Sequence, residues 1–228
     1  VWSQSFDNLP QNEDGTYNLS GTNTAALEVN PATYGKDSYP NTRHAYLTAD
    51  TKTGTGYALE LTHTASSTAS FPVGVTFDGE SIYKITYDWL TNAPNESGKK
   101  SRVRLYQETR DHYQVTKSEG KPYLTTYGWG TTSEVPAIGE WVQAEITYNS
   151  ATKDATVKWI KADGTVILNK TGSKWSTFTD ISFIELIGEN GGQKIDNIVI
   201  SKEVTEAPEL PEVPEELPEN TVWSENFN

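Results

Sequence analysis

The segment Y-K-I-T-Y-D-W-L, from Tyr83 to Leu90, alternates apolar and polar residues and is rich in types that favour β-strands. The same alternation recurs in five later segments: S-R-V-R-L-Y-Q-E (Ser101 to Glu108), W-V-Q-A-E-I-T-Y (Trp141 to Tyr148), A-T-V-K-W-I-K (Ala155 to Lys161), T-V-I-L-N-K, and I-D-N-I-V-I-S (Ile195 to Ser201). Turn sequences separate them, among them an Asp-Gly hairpin in A-D-G-T. No stretch keeps apolar residues on one helical face over three turns. The sequence therefore predicts an all-β fold, an antiparallel β-sandwich of the jelly-roll kind.

The alternation also predicts which side of each strand faces the core. In Trp141 to Tyr148, the even-numbered residues are apolar and should point inward. In Ser101 to Glu108, Val103 and Leu105 should face the core, while the outward row is Arg102, Arg104, Tyr106 and Glu108. A row of charges and an aromatic fits two interpretations, a solvated face or the floor of a groove.

The two ends of the chain carry similar motifs, V-W-S-Q-S-F-D (Val1 to Asp7) and V-W-S-E-N-F-N (Val222 to Asn228). The second is preceded by a tract of alternating proline and glutamate, which disfavours helix and sheet and favours an extended spacer. These features predict a globular domain at residues 1–202, a linker at 203–221, and the first strand of a following module at 222–228. Tandem modules on spacers are typical of multivalent attachment.

Composition excludes several classes of function. The net charge is −13, and residues 203–228 contain eight glutamates with no lysine or arginine. A nucleic-acid partner is not expected, because phosphate binding needs a clustered basic face. Membrane insertion is not expected either, since apolar runs fall short of the roughly 20 residues needed to cross a bilayer. Cysteine is absent, so stability must come from packing or from a metal.

Catalytic motifs are scarce. The histidines, His44, His63 and His112, do not have metal-ligand spacing, and there is no G-x-S-x-G nucleophile motif. Glu185 and Glu189 would share one face of a strand about 13 Å apart, beyond the roughly 5 to 9.5 Å used in glycoside hydrolysis. The sequence predicts a protein that is not an enzyme. An acidic pair assembled from distant strands stays open as an alternative.

Aromatic residues are the main candidates for binding. The chain has seven tryptophans and twelve tyrosines, and flat aromatic rings cover the C–H face of a sugar. Trp2, Trp89, Trp141 and Trp159 have strand contexts that favour packing. Trp129 lies between glycines in Y-G-W-G, and Trp175 lies among small polar residues, so both are predicted to bind ligand from loops. Tyr127 and Tyr123 are predicted as further ligand contacts. Tyr106 and Tyr113 rank after them as candidates.

Several of these motifs together resemble the concanavalin-like jelly-roll modules, which include bacterial carbohydrate-binding modules and lectin-like domains. They are the opening W-x-x-x-F-D, Y-K-I-T-Y-D-W, G-E-W-V-Q-A-E-I-T-Y, the D-G-T hairpin and the closing I-D-N-I-V-I. The Pro/Glu linker and tandem style are similar to the starch-adherence surface proteins of gut bacterial amylosomes. This second resemblance implies an α-glucan ligand and an extracellular, cell-surface or secreted location.

The first resemblance also implies a structural calcium ion that ties the first strand to the last. The residues at the corresponding positions are Asp7 in S-F-D-N and Asp196 in I-D-N-I. An alternative is that Asp196 and Asn197 cap a turn before the last strand.

Together these observations predict a monomeric, non-catalytic module that binds polysaccharide, with α-glucan such as starch or maltooligosaccharides favoured. Two alternatives stay open: a module for β-glucan or xylan, and a structural or adhesive module with a protein partner.

Overall fold

A computed structural model describes residues 1–18, 45–61, 66–92, 100–107, 112–118, 121–125, 136–172, 178–189 and 192–203. In these ranges the chain forms thirteen β-strands and no helix. The strands are β1 (Trp2–Gln4), β2 (Ala45–Thr48), β3 (Ala58–Leu61), β4 (Ser66–Thr76), β5 (Ile82–Thr91), β6 (Lys100–Tyr106), β7 (His112–Ser118), β8 (Lys121–Thr125), β9 (Trp141–Asn149), β10 (Asp154–Lys161), β11 (Val166–Gly172), β12 (Asp180–Glu189) and β13 (Gln193–Lys202).

The strands form two antiparallel sheets. The eight-stranded sheet has the order β11-β10-β9-β5-β13-β3-β2, and β1 pairs with β13 beside β3. The five-stranded sheet has the order β4-β12-β6-β7-β8. The prediction of an all-β antiparallel sandwich is confirmed.

The core lies between the sheets and follows the alternation of the strands. In β9, Val142, Ala144, Ile146 and Tyr148 are buried, while the residues between them are half-buried on the outer face. Val103 and Leu105 of β6 are likewise buried. Trp89 and Trp159 are fully buried with ring centroids 5.8 Å apart, which confirms the prediction that both pack inside the fold.

A polar bridge joins the two sheets through this core. The Gln193 side chain on β13 is 1% exposed, and its Oε1 accepts a hydrogen bond of 2.9 Å from the Trp89 indole N–H. Its Nε2 donates to two backbone carbonyls of the other sheet, Ile187 at 2.9 Å and Arg102 at 3.2 Å. All these groups need partners because unpaired polar atoms are costly away from water.

The loop between β2 and β3, residues 49–57, lies over the outer face of the eight-stranded sheet. Asp50 contacts Lys194 on β13 and Trp141 on β9, and Lys52 reaches Asp88 on β5. Where the loop returns to β3, the Tyr57 amide donates to Asp7 Oδ1 at 2.7 Å. The loop therefore fastens the segment after β1 to the body of the sheet.

The described part of the chain has no helix long and apolar enough to pass through a bilayer. The linker at 203–221 and the strand at 222–228 fall almost wholly outside the described residues, so these boundaries stay a prediction.

We predict that Gln193→Leu lowers the free energy of unfolding by about 2–4 kcal/mol, because it removes the partner of a buried indole N–H. Gln143→Leu, the same change on the outer face of β9, should alter stability by about 0.5 kcal/mol or less. Urea unfolding of both variants measures the difference. Equal losses would show that Gln193 does not bridge the sheets.

Candidate functional site

The outer face of the five-stranded sheet carries a stacked aromatic pair. Tyr106 on β6 is in register with Phe183 on β12, and directly opposed residues share a face. Their ring centroids are 4.4 Å apart and their planes differ by only 14°. Both side chains are half-buried. In such a stack each ring covers one face of the other, so the pair presents ring edges and the remaining ring faces to its surroundings.

An arginine and a glutamate occupy the next position along these strands. Arg104 and Glu185 are in register, and Arg104 Nη1 lies 3.2 Å from Glu185 Oε2. The same nitrogen donates to Tyr106 Oη at 2.9 Å. Arg104 and Glu185 are each 18% exposed, so each still presents polar atoms to solvent. Burial raises the pKa of Tyr106, and the negative charge of Glu185 raises it further. Tyr106 is therefore a neutral hydroxyl at physiological pH.

A cleft of about 380 Å³ lies where the end of β4 meets the start of β12. Its lining is Gly74, Thr76, Thr179, Asp180, Ile181 and Ser182. The register of β4 against β12 shifts between Ile181 and Phe183, and Gly74 there adopts a φ of +71°. A glycine at positive φ is typical of a β-bulge, which bends the strand. The Asp180 carboxylate at this site accepts hydrogen bonds from Ser182 Oγ at 2.7 Å and Thr179 Oγ1 at 3.1 Å.

We call these residues the outer-face site: Arg104, Tyr106, Phe183 and Glu185, with the cleft at Asp180. It combines aromatic ring surface with fixed donors and acceptors, which suits a neutral polyhydroxylated ligand. It is poorly arranged for glycoside hydrolysis. Asp180 and Glu185 lie five residues apart on one strand, about 16 Å, whereas that reaction uses carboxyl groups within about 9.5 Å.

The sequence predicted only part of this site. Alternation placed Arg102, Arg104 and Tyr106 on the outer face, and the structure confirms it for these three. Phe183 and the cleft were not foreseen. Their place depends on the register of β12 against β6 and β4, which no pattern within a single segment reveals.

The outcome is different for the four aromatic residues that were predicted to bind ligand. Trp129, Tyr127 and Trp175 lie outside the described residues. The backbone of Tyr123 lies in β8 in register with Thr116, and its side chain is not described. The assignment of these four aromatics stays a prediction. Trp141, which was predicted to pack, is only half-buried and lies on the outer face of the eight-stranded sheet.

Asp196, one of the two predicted calcium ligands, lies within electrostatic range of the other, Asp7, and of a further carboxylate, Asp88 on β5. Asp196 is in register with Asp88 and is 2% exposed. Burial raises the pKa of Asp196 to about 6, and the charges of Asp7 and Asp88 raise it too. Two negative charges thus act on the buried carboxyl of Asp196. Asp88 was not predicted, because nothing in its own segment links it to Asp196.

Neighbouring polar groups pair with carboxylate oxygens of Asp88 and Asp196. Lys52 Nζ lies 2.7 Å from Asp88 Oδ1, and Asn197 Nδ2 donates to Asp88 Oδ2 at 3.1 Å. The Asn197 amide donates to Asp196 Oδ1 at 2.7 Å, with Asn197 at a φ of +49°. The alternative that Asp196 and Asn197 cap a turn before the last strand is wrong. They lie inside β13, where its register against β5 shifts between Asp196 and Val199.

No group of three or more His, Cys, Asp or Glu side chains with the geometry of a metal site occurs in the ranges that the structure describes. Calcium would therefore need Asp7 and Asp196 supplemented by backbone or amide oxygens, which it commonly uses.

No protein-family model and no curated protein sequence matches this chain. Among proteins of known structure, winged bean acidic lectin in complex with methyl-α-D-galactose is similar over 89% of this chain and 98% of its own, with a TM-score of 0.52 and 11% identity. The fold is a concanavalin-like β-sandwich. Lectin II from Ulex europaeus is similar over 65% of this chain and 88% of its own, with a TM-score of 0.44 and 11% identity. A sialidase is similar over 64% of this chain, with a TM-score of 0.47 and 10% identity, and the chain spans 15% of its length. At these identities the likeness concerns the fold.

We predict that Gly56→Ala destabilises the protein more than Gly54→Ala. Both glycines have a φ of +75°, so both changes strain the backbone, by about 1–2 kcal/mol. At Gly54 an added Cβ meets nothing within 4 Å, whereas at Gly56 it would collide with the Asp7 carboxylate. Urea unfolding compares the two, and equal losses would contradict the close contact of Asp7 with the loop.

Proposed function

We propose that this chain is a non-catalytic module that binds polysaccharide, with α-glucan as the preferred ligand. The observation that carries the proposal is the outer-face site, where the stacked rings of Tyr106 and Phe183 adjoin the paired Arg104 and Glu185. A pyranose offers a C–H face to such rings and hydroxyl groups to the polar atoms. The lectin-type fold supports the same class of ligand.

The connectivity of the five-stranded sheet links this site to the predicted loop aromatics. β8 ends at Thr125, which is in register with Gln114, and Gln114 is in register with Arg104. β12 begins at Asp180, beside the cleft. The segments that carry Tyr127, Trp129 and Trp175 are thus joined to the sheet at the end where the outer-face site lies. This supports a shared binding region built from the sheet and these loops.

The choice of α-glucan over other polysaccharides rests on the resemblance to amylosome proteins. The proposed extracellular location and tandem arrangement rest on the same resemblance. Binding at one shallow aromatic site is weak, because stacking displaces little water and the ligand stays partly solvated. Repeated modules on extended spacers would raise the apparent affinity.

Affinity electrophoresis of the chain through gels with amylopectin, pullulan, xylan, barley β-glucan or no polysaccharide tests the proposal. We expect retardation by amylopectin and pullulan alone, with no release of reducing sugar over hours. Retardation by xylan or β-glucan alone would replace the α-glucan assignment. Mobility unchanged in every gel would contradict polysaccharide binding and favour a protein partner.

Variants then locate the binding region. Tyr106→Ala, Trp129→Ala and Trp175→Ala should each weaken binding about tenfold, since removal of an aromatic anchor costs about 1–2 kcal/mol. Thr147→Ala, on the outer face of the opposite sheet, is the control and should bind like the wild type. Unchanged binding in all three aromatic variants would overturn the site.

We also propose that Asp7 and Asp196 hold a structural calcium ion. The negative charge around the buried Asp196 supports this, since a cation there would offset the repulsion among Asp7, Asp88 and Asp196. Calcium would supply a link between the segment after β1 and the last strand. It takes no part in ligand chemistry in this proposal.

The test is thermal unfolding in calcium and in a chelator. Calcium should raise the melting temperature of the wild type by several degrees, because a ligand that binds only the folded state stabilises it. Asp196→Asn should lose that response, and Asp163→Asn, in the exposed β10–β11 turn, should keep it. If calcium does not change the melting temperature of the wild type, the calcium site is ruled out.

A further inference from the structure

The outer face of the eight-stranded sheet carries a half-buried indole, that of Trp141. Trp141 is the first residue of β9, and the alternation of that strand places it on the same outer face as Gln143. Its register partner Leu90 is buried. The indole therefore lies next to an apolar residue of the neighbouring strand, while part of it stays in water. That combination differs from the full burial of Trp89 and Trp159.

Polar groups fix the orientation of this indole. Its Nε1 donates to Asp50 Oδ1 at 3.3 Å, and the other oxygen of Asp50 contacts Lys194 Nζ. Asp50 is 54% exposed, so its carboxylate can still accept hydrogen bonds from a ligand. A ring held in place before binding loses little entropy when a ligand stacks on it.

We propose a second glycan-binding surface on this face, formed by Trp141, Gln143, Asp50 and Lys194. The indole would cover the C–H face of a hexopyranose, and the carboxylate and amide would bind its hydroxyl groups. The charges of Asp50 and Lys194 cancel, so the surface favours a neutral glycan over an anionic one. The ligand class rests on the proposed function, whereas the place and residues are independent of it.

The position of this surface gives the module two opposed binding faces. The outer-face site lies on the five-stranded sheet, and Trp141 lies on the other side of the sandwich. One glycan chain cannot readily contact both faces through the core. A single module would therefore connect two chains, which no site on one face alone can do.

Hydroxyl-radical footprinting of the full chain with and without maltoheptaose tests the proposal at residue level. Oxidation of Trp141 should fall severalfold when the ligand is present, while oxidation of Trp2, on the N-terminal strand, should not change. Calorimetric titration should give two binding sites per chain for the wild type. It should give one site for Trp141→Phe together with Asp50→Asn, and one for Tyr106→Ala.

The outcomes distinguish failure of the second surface from failure of the proposed polysaccharide binding. One site per chain in the wild type, with Trp141 unprotected, overturns the second surface and leaves the first intact. Two sites in the Trp141→Phe, Asp50→Asn variant overturn it as well. If the wild type binds none of maltoheptaose, cellohexaose and xylohexaose, both the proposed polysaccharide binding and the second surface are contradicted. Loss of the second site together with normal melting of the variant supports it.

Discussion

The pairing of β13 with three other strands is the constraint on which the eight-stranded sheet depends. β5 lies along one side of β13, and β3 and β1 share the other side in succession. Gln193 at the start of this strand binds the Trp89 indole and two carbonyls of the opposite sheet. Asp196, the last residue in register before the bulge, lies opposite Asp88. One strand therefore organises the sheet, the bridge between sheets and the acidic cluster.

The two sheets use their outer faces differently. On the eight-stranded sheet, Lys52 of the β2–β3 loop pairs with the buried Asp88, and other charges of the outer face are paired as well. Glu145, for example, contacts both Lys84 at 2.6 Å and Lys158 at 3.4 Å. On the five-stranded sheet, a stacked aromatic pair and a cleft interrupt the polar surface instead.

Patterns within single segments were enough to predict the fold. The alternation in β5, β6, β9 and β10 specified both strand type and inward face, because a period of two leaves one side to the core. The sites could be predicted only in part. The motif resemblance implied Asp7 and Asp196 as calcium ligands, which stays a prediction, and it gave no sign of Asp88, which lies opposite Asp196 through strand pairing alone. Phe183 reaches Tyr106 in the same way, and Trp141 is half-exposed because its neighbours on adjacent strands, which the sequence does not reveal, leave it uncovered.

The arrangement of β1 beside β13 has a mechanical consequence. Trp2 is opposite Ile200, so the chain enters and leaves the sandwich at the same end of an antiparallel pair. Tension applied between residues 1 and 203 would load the hydrogen bonds of this short ladder one after another rather than all together. After three residues, the next resistance is the Asp7 contact with the Tyr57 amide. The resistance of the module to this peeling thus depends less on its large core than on one carboxylate and the loop that holds it.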